Sequence, residues 1–264
     1  MTRPATQYSG SAPIRVRHIP FERRVWLWAE LIVLYAIVPA LVAALTQPRL
    51  ADPILDSIGL GAVSFETGIP RWLFIFPLRL GASVVLGGAL VLDATFKTRR
   101  LWNLDGFMGE IRRIGVIFIC IAPVLLFVSW FLAFRTDLLP ERGFLRLPRE
   151  LPVVMTLIAL LYPWLSAYPQ EVTHRAFFFH RYRPILGNGA LAMVLNVAAF
   201  SWLHAPMWNG IALLITIPLG VLLAWTYRRS GSTLAAGFEH AIYGVWSFFC
   251  GLGYFVFTGN VQGV

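Results

Sequence analysis

The chain has 264 residues, of which 58% are hydrophobic and only 13% charged, against roughly a quarter charged in a typical soluble domain. Twenty-two Lys and Arg against 13 Asp and Glu leave a formal charge of +9, and every one of these cations except Lys97 is arginine. This composition argues against a soluble enzyme, and a mean hydropathy of +0.68 makes a bilayer, rather than nucleic acid, the partner of the positive charge.

A bilayer core of about 30 Å takes roughly 20 apolar residues as helix. Seven such runs occur, at approximately 25–46, 72–96, 114–134, 151–180, 188–205, 208–227 and 233–258. The first is preceded by Arg3, Arg15, Arg17, Arg23 and Arg24, without the apolar core or cleavage site of a signal peptide, so an uncleaved first helix is expected. Fourteen basic residues fall in the tail and the loops on its side; six, interleaved with acids, fall in the opposite loops. That bias predicts a cytoplasmic N-terminus and, with seven spans, an external C-terminus. An eighth span within 52–69 would reverse the C-terminal end, but the stretch is short and holds Asp52, Asp56 and Glu66. In hydrocarbon only helices and closed barrels satisfy their backbones, and these runs lack strict alternation. The expected fold is therefore all-α, a polytopic transmembrane bundle. Its parts are a basic tail (1–24), three helices (25–150) and the helices that concentrate the polar residues (151–264). Cys120 and Cys250 lie in apolar runs without metal or redox spacing and are expected to be buried thiols.

Ionisable groups inside spans are costly and are functional candidates by default. Glu30 and Asp93, near cytoplasmic helix ends, are expected to snorkel to water. Arg79 is deeper and is expected to pair with a carboxylate on another helix. Further along, Glu171 and Arg175 stand four apart, neighbours on one helical face, and Phe177, Phe178 and Phe179 are expected to face lipid or to pack. Asn196, Phe200 and His204 form a stripe at intervals of four, and His240 follows the small residues Ala235, Ala236 and Gly237. One carboxylate and two imidazoles on three helices suit water activation, metal binding or proton relay. Helical rise puts Glu171 and His240 at similar depth, about 18 and 17 Å from the basic loops, whereas His204 lies at about 26 Å, so its helix must tilt or start deeper.

These residues carry a resemblance. Gln170-Glu171-xxx-Arg175, Phe200-xxx-His204 and His240 on its helix resemble the three motifs of the CPBP family (Abi, or CAAX-protease-like): Glu-Glu-xxx-Arg, Phe-xxx-His and His-xxx-Asn/Asp. The likeness covers about residues 151–250 and implies an intramembrane peptidase. Two positions depart from the pattern. Gln170 replaces the glutamate that the family uses as general base, and Gly244 replaces the Asn/Asp four residues after His240. Glu171 is then expected to act as base with His204, and Tyr243 and Ser247 to offer hydroxyls to developing negative charge.

The leading expectation is thus an endopeptidase in which Glu171 and His204 polarise a water and His240 stabilises the oxyanion. Arg175 orients Glu171, and Gln170, Phe200, Asn196 and Tyr243 support the site. This scheme needs no cofactor. A zinc version makes Glu171, His204 and His240 the ligands, with His174 or Glu239 behind them. The cavity is expected to open to the cytoplasm beside Arg181, Arg183, Arg228 and Arg229. Expected partners are membrane lipid and a protein or peptide substrate, prenylated or unmodified, with no nucleic acid. Gln170 and Gly244 also suit a degenerate binding or immunity protein. A proton-coupled carrier is a third class, although the two halves show no repeat of broken helices. An Arg-rich, Lys-poor multispan chain points to a bacterial plasma membrane.

Overall fold

The computed structural model describes residues 19–46, 57 and 72–256. Arg3, Arg15 and Arg17, the 52–69 stretch apart from Ser57, and the end of the last apolar run beyond Val256 lie outside the described residues. Among the described residues there are seven long helices and no strand: α1 (Phe21–Thr46), α2 (Trp72–Leu92), α3 (Leu104–Arg135), α4 (Pro152–Arg181), α5 (Ala190–Trp202), α6 (Gly210–Ser230) and α7 (Thr233–Cys250). Six are long and apolar enough to cross a membrane, α5 together with the turn that follows it to Met207. The chain is a polytopic helical membrane protein. The seventh, α7, carries Glu239 and His240 and is enclosed by α3, α4 and α6. Eleven of its 18 residues are buried, so its polar groups meet protein rather than lipid.

Local chemistry sets the ends. The Asn103 side chain accepts from the Gly106 N–H at 3.2 Å, so α3 starts ten residues before the apolar run and takes in Arg112 and Arg113, which the charge pattern assigns to a loop. Beyond Leu92 the Asp93 carboxylate accepts from the Thr95 N–H and hydroxyl at 2.8 and 2.7 Å, ending α2 four residues earlier than expected. Those two bonds, with His180 at 3.0 Å, hold the Asp93 carboxyl down at about 2. Asn209 and Ser232 cap α6 and α7 by accepting from Ala212 and Ala235. Gly231, at φ 58°, closes α6 in the left-handed conformation that glycine adopts without strain.

Two helices widen locally. The π turn Val33–Ile37 of α1 lies just before Pro39, which has no N–H for the Tyr35 carbonyl. In α4 a π turn at Pro163–Ala167 begins at one proline and precedes another, Pro169. A second runs over Val172–Phe177, where the Gln170 carbonyl accepts from the Thr173 hydroxyl (2.9 Å) and from His174 Nδ1 (3.1 Å). Side chains thus enter the backbone ladder on both sides of Gln170 and Glu171.

Lipid tails are as apolar as leucine, so helix association rests on close packing and interhelical hydrogen bonds worth roughly 0.6 kcal/mol each on average. Tyr35 donates to the Thr173 carbonyl (2.7 Å), Trp202 to Ala36 (3.0 Å), Trp246 to Ala122 (2.9 Å) and Ser129 to Cys250 (2.5 Å). On α7 the small residues admit α4: a β-carbon at Gly237 would stand 3.0 Å from the Tyr168 ring. Val84, Val85, Ile119 and Leu160 face outward, as lipid contact requires.

The charged groups find partners that sequence spacing did not predict. Glu30 does not simply snorkel; it accepts from Arg181 at 2.8 and 2.7 Å and from the Tyr182 hydroxyl at 3.2 Å. Arg79 has no carboxylate partner among the described residues and donates instead to the Leu203 carbonyl at 2.7 Å. Glu110, Arg113, Arg229, Thr226 and Glu239 form one network across α3, α6 and α7. Phe177 and Phe178 are packed inside. Cys250 is buried, but Cys120 is exposed, since it falls on the outward side of α3.

Candidate active site

Glu171, on α4, is completely buried. One carboxylate oxygen accepts from His240 Nδ1–H at 2.9 Å and the other lies 3.0 Å from Arg175 Nε. Arg175, also completely buried, donates to Asn196 Oδ1 at 2.6 Å, and its guanidinium lies 4.6 Å over the Phe200 ring. Asn196 in turn donates to the His174 carbonyl. The ion pair is thereby boxed between α4, α5 and α7.

The second nitrogen of His240 looks the other way. With Nδ1–H committed to Glu171, Nε2 carries the lone pair and accepts from the Tyr162 hydroxyl at 3.2 Å. His204 sits past the end of α5, where its Nδ1–H donates to the Phe200 carbonyl at 3.1 Å, which leaves its Nε2 as the unprotonated nitrogen too. The Phe200 ring contacts both imidazoles edge-on, with centroids 5.5 Å from His204 and 5.4 Å from His240. Helix α5 stops at Trp202 and the chain turns at His204, whose imidazole lies beside the Phe200 ring.

A cavity of about 560 Å³ adjoins these groups. Its polar lining includes Arg79, Tyr162, Gln170, His204 and His240, and Tyr243 and Ser247 also line it. Glu171 does not line it, and no carboxylate among the described residues does. Glu171 and His204 are therefore not brought together: the glutamate stands behind His240, and Gln170 takes the cavity-facing position beside it. The Gln170 side chain donates to the Ser166 hydroxyl at 2.9 Å, while its buried Oε1 has no hydrogen-bond partner among the described residues. Apart from Ser166 and Thr216, the rest of the wall is apolar. Val221 and Trp225 belong both to it and to the exposed face of α6, so the cavity is continuous with the lipid-facing surface.

Arg181, Arg183, Arg228 and Arg229, expected at its mouth, are not on its wall. Arg181 is held by Glu30, Arg229 by Glu110, and Arg228 donates to the Asn188 carbonyl. Tyr162 is the residue that sequence reasoning missed. No motif marks it, and the one signal was the gap at Gly244. A β-carbon there would collide with the Tyr162 ring, so this ring fills the space that an Asn or Asp side chain would need. Tyr243 points its ring at Phe118 (5.4 Å), and its hydroxyl has no hydrogen-bond partner among the described residues.

The zinc set fares poorly on its donors. Glu171, the carboxylate of the set, faces Arg175 and His240 and does not line the cavity, so it does not join the Nε2 atoms of His204 and His240 there. Among the described residues no group of three His, Cys, Asp or Glu is arranged to hold a metal ion.

Residues 148–246 match the family model described as Rce1-like, type II CAAX prenyl endopeptidase. The chain carries an Rce1-like domain. It begins just ahead of α4 and ends within α7, so it contains Tyr162, Gln170, Glu171, Arg175, His204 and His240. These bounds agree with the 151–250 segment that carries the three motifs. Arg79, on α2, reaches the cavity of the Rce1-like domain from outside it. No curated protein and no solved structure matches the chain.

Proposed function

We propose that this protein is an intramembrane endopeptidase that hydrolyses a peptide bond of a membrane-associated protein or peptide in the cavity beside His204 and His240. The observation that carries the reading is the Glu171–His240 pair at 2.9 Å, with the far nitrogen of His240 at the cavity wall of an Rce1-like domain. A carboxylate behind an imidazole fixes its tautomer and stabilises the imidazolium that forms when the other nitrogen takes a proton. Glu171 thus acts through His240. A cavity water gives its proton to His240 Nε2 as its oxygen attacks the scissile carbonyl carbon. The tetrahedral oxyanion is met by the Tyr162 hydroxyl and the Gln170 amide. As the C–N bond breaks, the imidazolium returns the proton to the leaving nitrogen, giving a carboxylic acid and an amine, which leave as carboxylate and ammonium once the acid's proton passes to the amine. His204 positions the water from its side of the Phe200 ring, and Arg175 and Asn196 hold Glu171 in register. The scheme uses no cofactor. Apolar walls continuous with the α6 surface support substrate entry from the bilayer, and the Arg-rich composition supports a bacterial plasma membrane.

A second reading is a non-cleaving peptide-binding relative; it is favoured by one observation, the amide of Gln170 on a cavity wall without a carboxylate. Purified protein in lipid, offered prenylated and unmodified peptides, separates the two. Glu171→Ala and His240→Ala are expected to lower kcat by about 10²- to 10⁴-fold, the usual range for general-base catalysis, and a chelator is expected to leave the rate unchanged. Full activity in Glu171→Ala would reduce the glutamate to a structural ion. A silent wild type with an active Gln170→Glu variant would establish the binding relative.

A further inference from the structure

Among the described residues, Arg79 is the one arginine on the wall of the active-site cavity, which carries no lysine and no carboxylate. Its guanidinium spends one N–H on the Leu203 carbonyl at 2.7 Å. Three carboxylates of the bundle are committed elsewhere: Glu171 to Arg175 and His240, Glu30 to Arg181, Glu239 to Thr226 and Arg113. A guanidinium so placed is costly unless an anion completes it. In apolar surroundings its attraction for one is strong, and its planar fork matches the two oxygens of a carboxylate. Arg79 also lines a second, smaller cavity of about 120 Å³, between α1, α2 and α4, and shares both walls with Gln170. The positive end of the peptide cavity is therefore set by a residue that lies outside the Rce1-like domain.

We propose that Arg79 is a carboxylate-binding residue of the cavity and that the protein selects peptides presenting a carboxylate to it. The anion rests on the peptide-hydrolysis reading for its identity as a peptide, but binding at Arg79 does not require cleavage. A neutral peptide occupying the same apolar walls leaves the guanidinium unpaired and binds more weakly.

The test is equilibrium binding of a short apolar peptide to the full chain in phosphatidylcholine vesicles. Four forms of the peptide are compared: free C-terminal acid, C-terminal amide, and the amide with an internal Glu or Gln. Wild type is expected to prefer the acid to the amide, or Glu to Gln, by about tenfold or more, as a charge-assisted hydrogen bond gives, and the pair that shows the preference identifies the carboxylate as terminal or side-chain. Arg79→Gln, which removes the charge and keeps an amide donor, is expected to bind both members of that pair as wild type binds the neutral one. Arg79→Lys is expected to keep a reduced preference. Equal binding of all four by wild type, a preference that survives in Arg79→Gln, or a lysine variant that binds all four alike overturns the proposal. Loss of the preference when phosphatidylglycerol is added also overturns it, by assigning the guanidinium to a lipid headgroup. A preference that depends on Arg79 in a protein that cuts no peptide supports the subsite while the peptidase reading fails; cleavage with no acid preference does the reverse.

Discussion

Adjacent side chains divide the chemistry between them. Gln170 and Glu171 are neighbours in sequence, yet one faces the cavity and the other is sealed against Arg175 and His240. A carboxylate paired with a guanidinium and accepting from an imidazole is well matched to orient the imidazole and poorly placed to meet water itself. At Gly244 the missing side chain is also a missing obstacle, because the Tyr162 ring occupies that volume. Gly244→Ala is expected to destabilise the protein by about 1–3 kcal/mol, the usual cost of overpacking, with the loss largely relieved in a Gly244→Ala/Tyr162→Ala double variant. Thermal melts of the four proteins in detergent measure the coupling, and a Gly244→Ala protein that melts with wild type would mean that the ring is not seated there.

Helix α4 shows how an element is shaped to serve a site. Pro163 and Pro169 each remove an N–H from the ladder, and Thr173 and His174 capture the Gln170 carbonyl, so the helix widens before and after the Gln170–Glu171 pair. A regular helix would carry Tyr162, Gln170 and Glu171 on different bearings. Pro169→Ala restores the N–H that the Leu165 carbonyl lacks and favours a regular turn. Its expected outcome is a peptidase rate lowered at least severalfold with no fall in melting temperature. A lower melting temperature with unchanged activity would mean that the widened turn serves packing and not the site. The motif spacing was legible in this element, since Glu171 and Arg175 do meet on one face. The bearing of the pair was not, because π turns depend on which side chains reach the backbone.

At the scale of the molecule, α7 is the axis. It presents His240 to Glu171 on α4, Glu239 to Thr226 on α6 and to Arg113 on α3, and its small residues let α4 approach closely. The Glu110–Arg113–Arg229–Glu239 network joins the helices before the Rce1-like domain to those within it. Arg113→Met leaves two carboxylates short of a partner and is expected to cost about 3–5 kcal/mol, as breaking a buried pair does. The Arg113→Met/Glu239→Gln double variant should recover part of the loss, read as melting temperature in lipid or detergent; additive losses would show that the pair does not interact.

The helical membrane class and the segment that bears the motifs could be read from the sequence by itself, because burial in lipid is a property of some 20 consecutive residues and motif spacing is local to one helix. Tertiary structure alone decided the partners. Glu171 was expected beside His204 and stands behind His240, Arg79 was expected on a carboxylate and rests on the Leu203 carbonyl, and Tyr162, which no pattern marks, fills the gap at Gly244. Each of these contacts joins residues about 70 or more positions apart. Which groups meet across such a separation depends on how helices rotate and widen as they pack, and that is settled by the whole set of contacts at once.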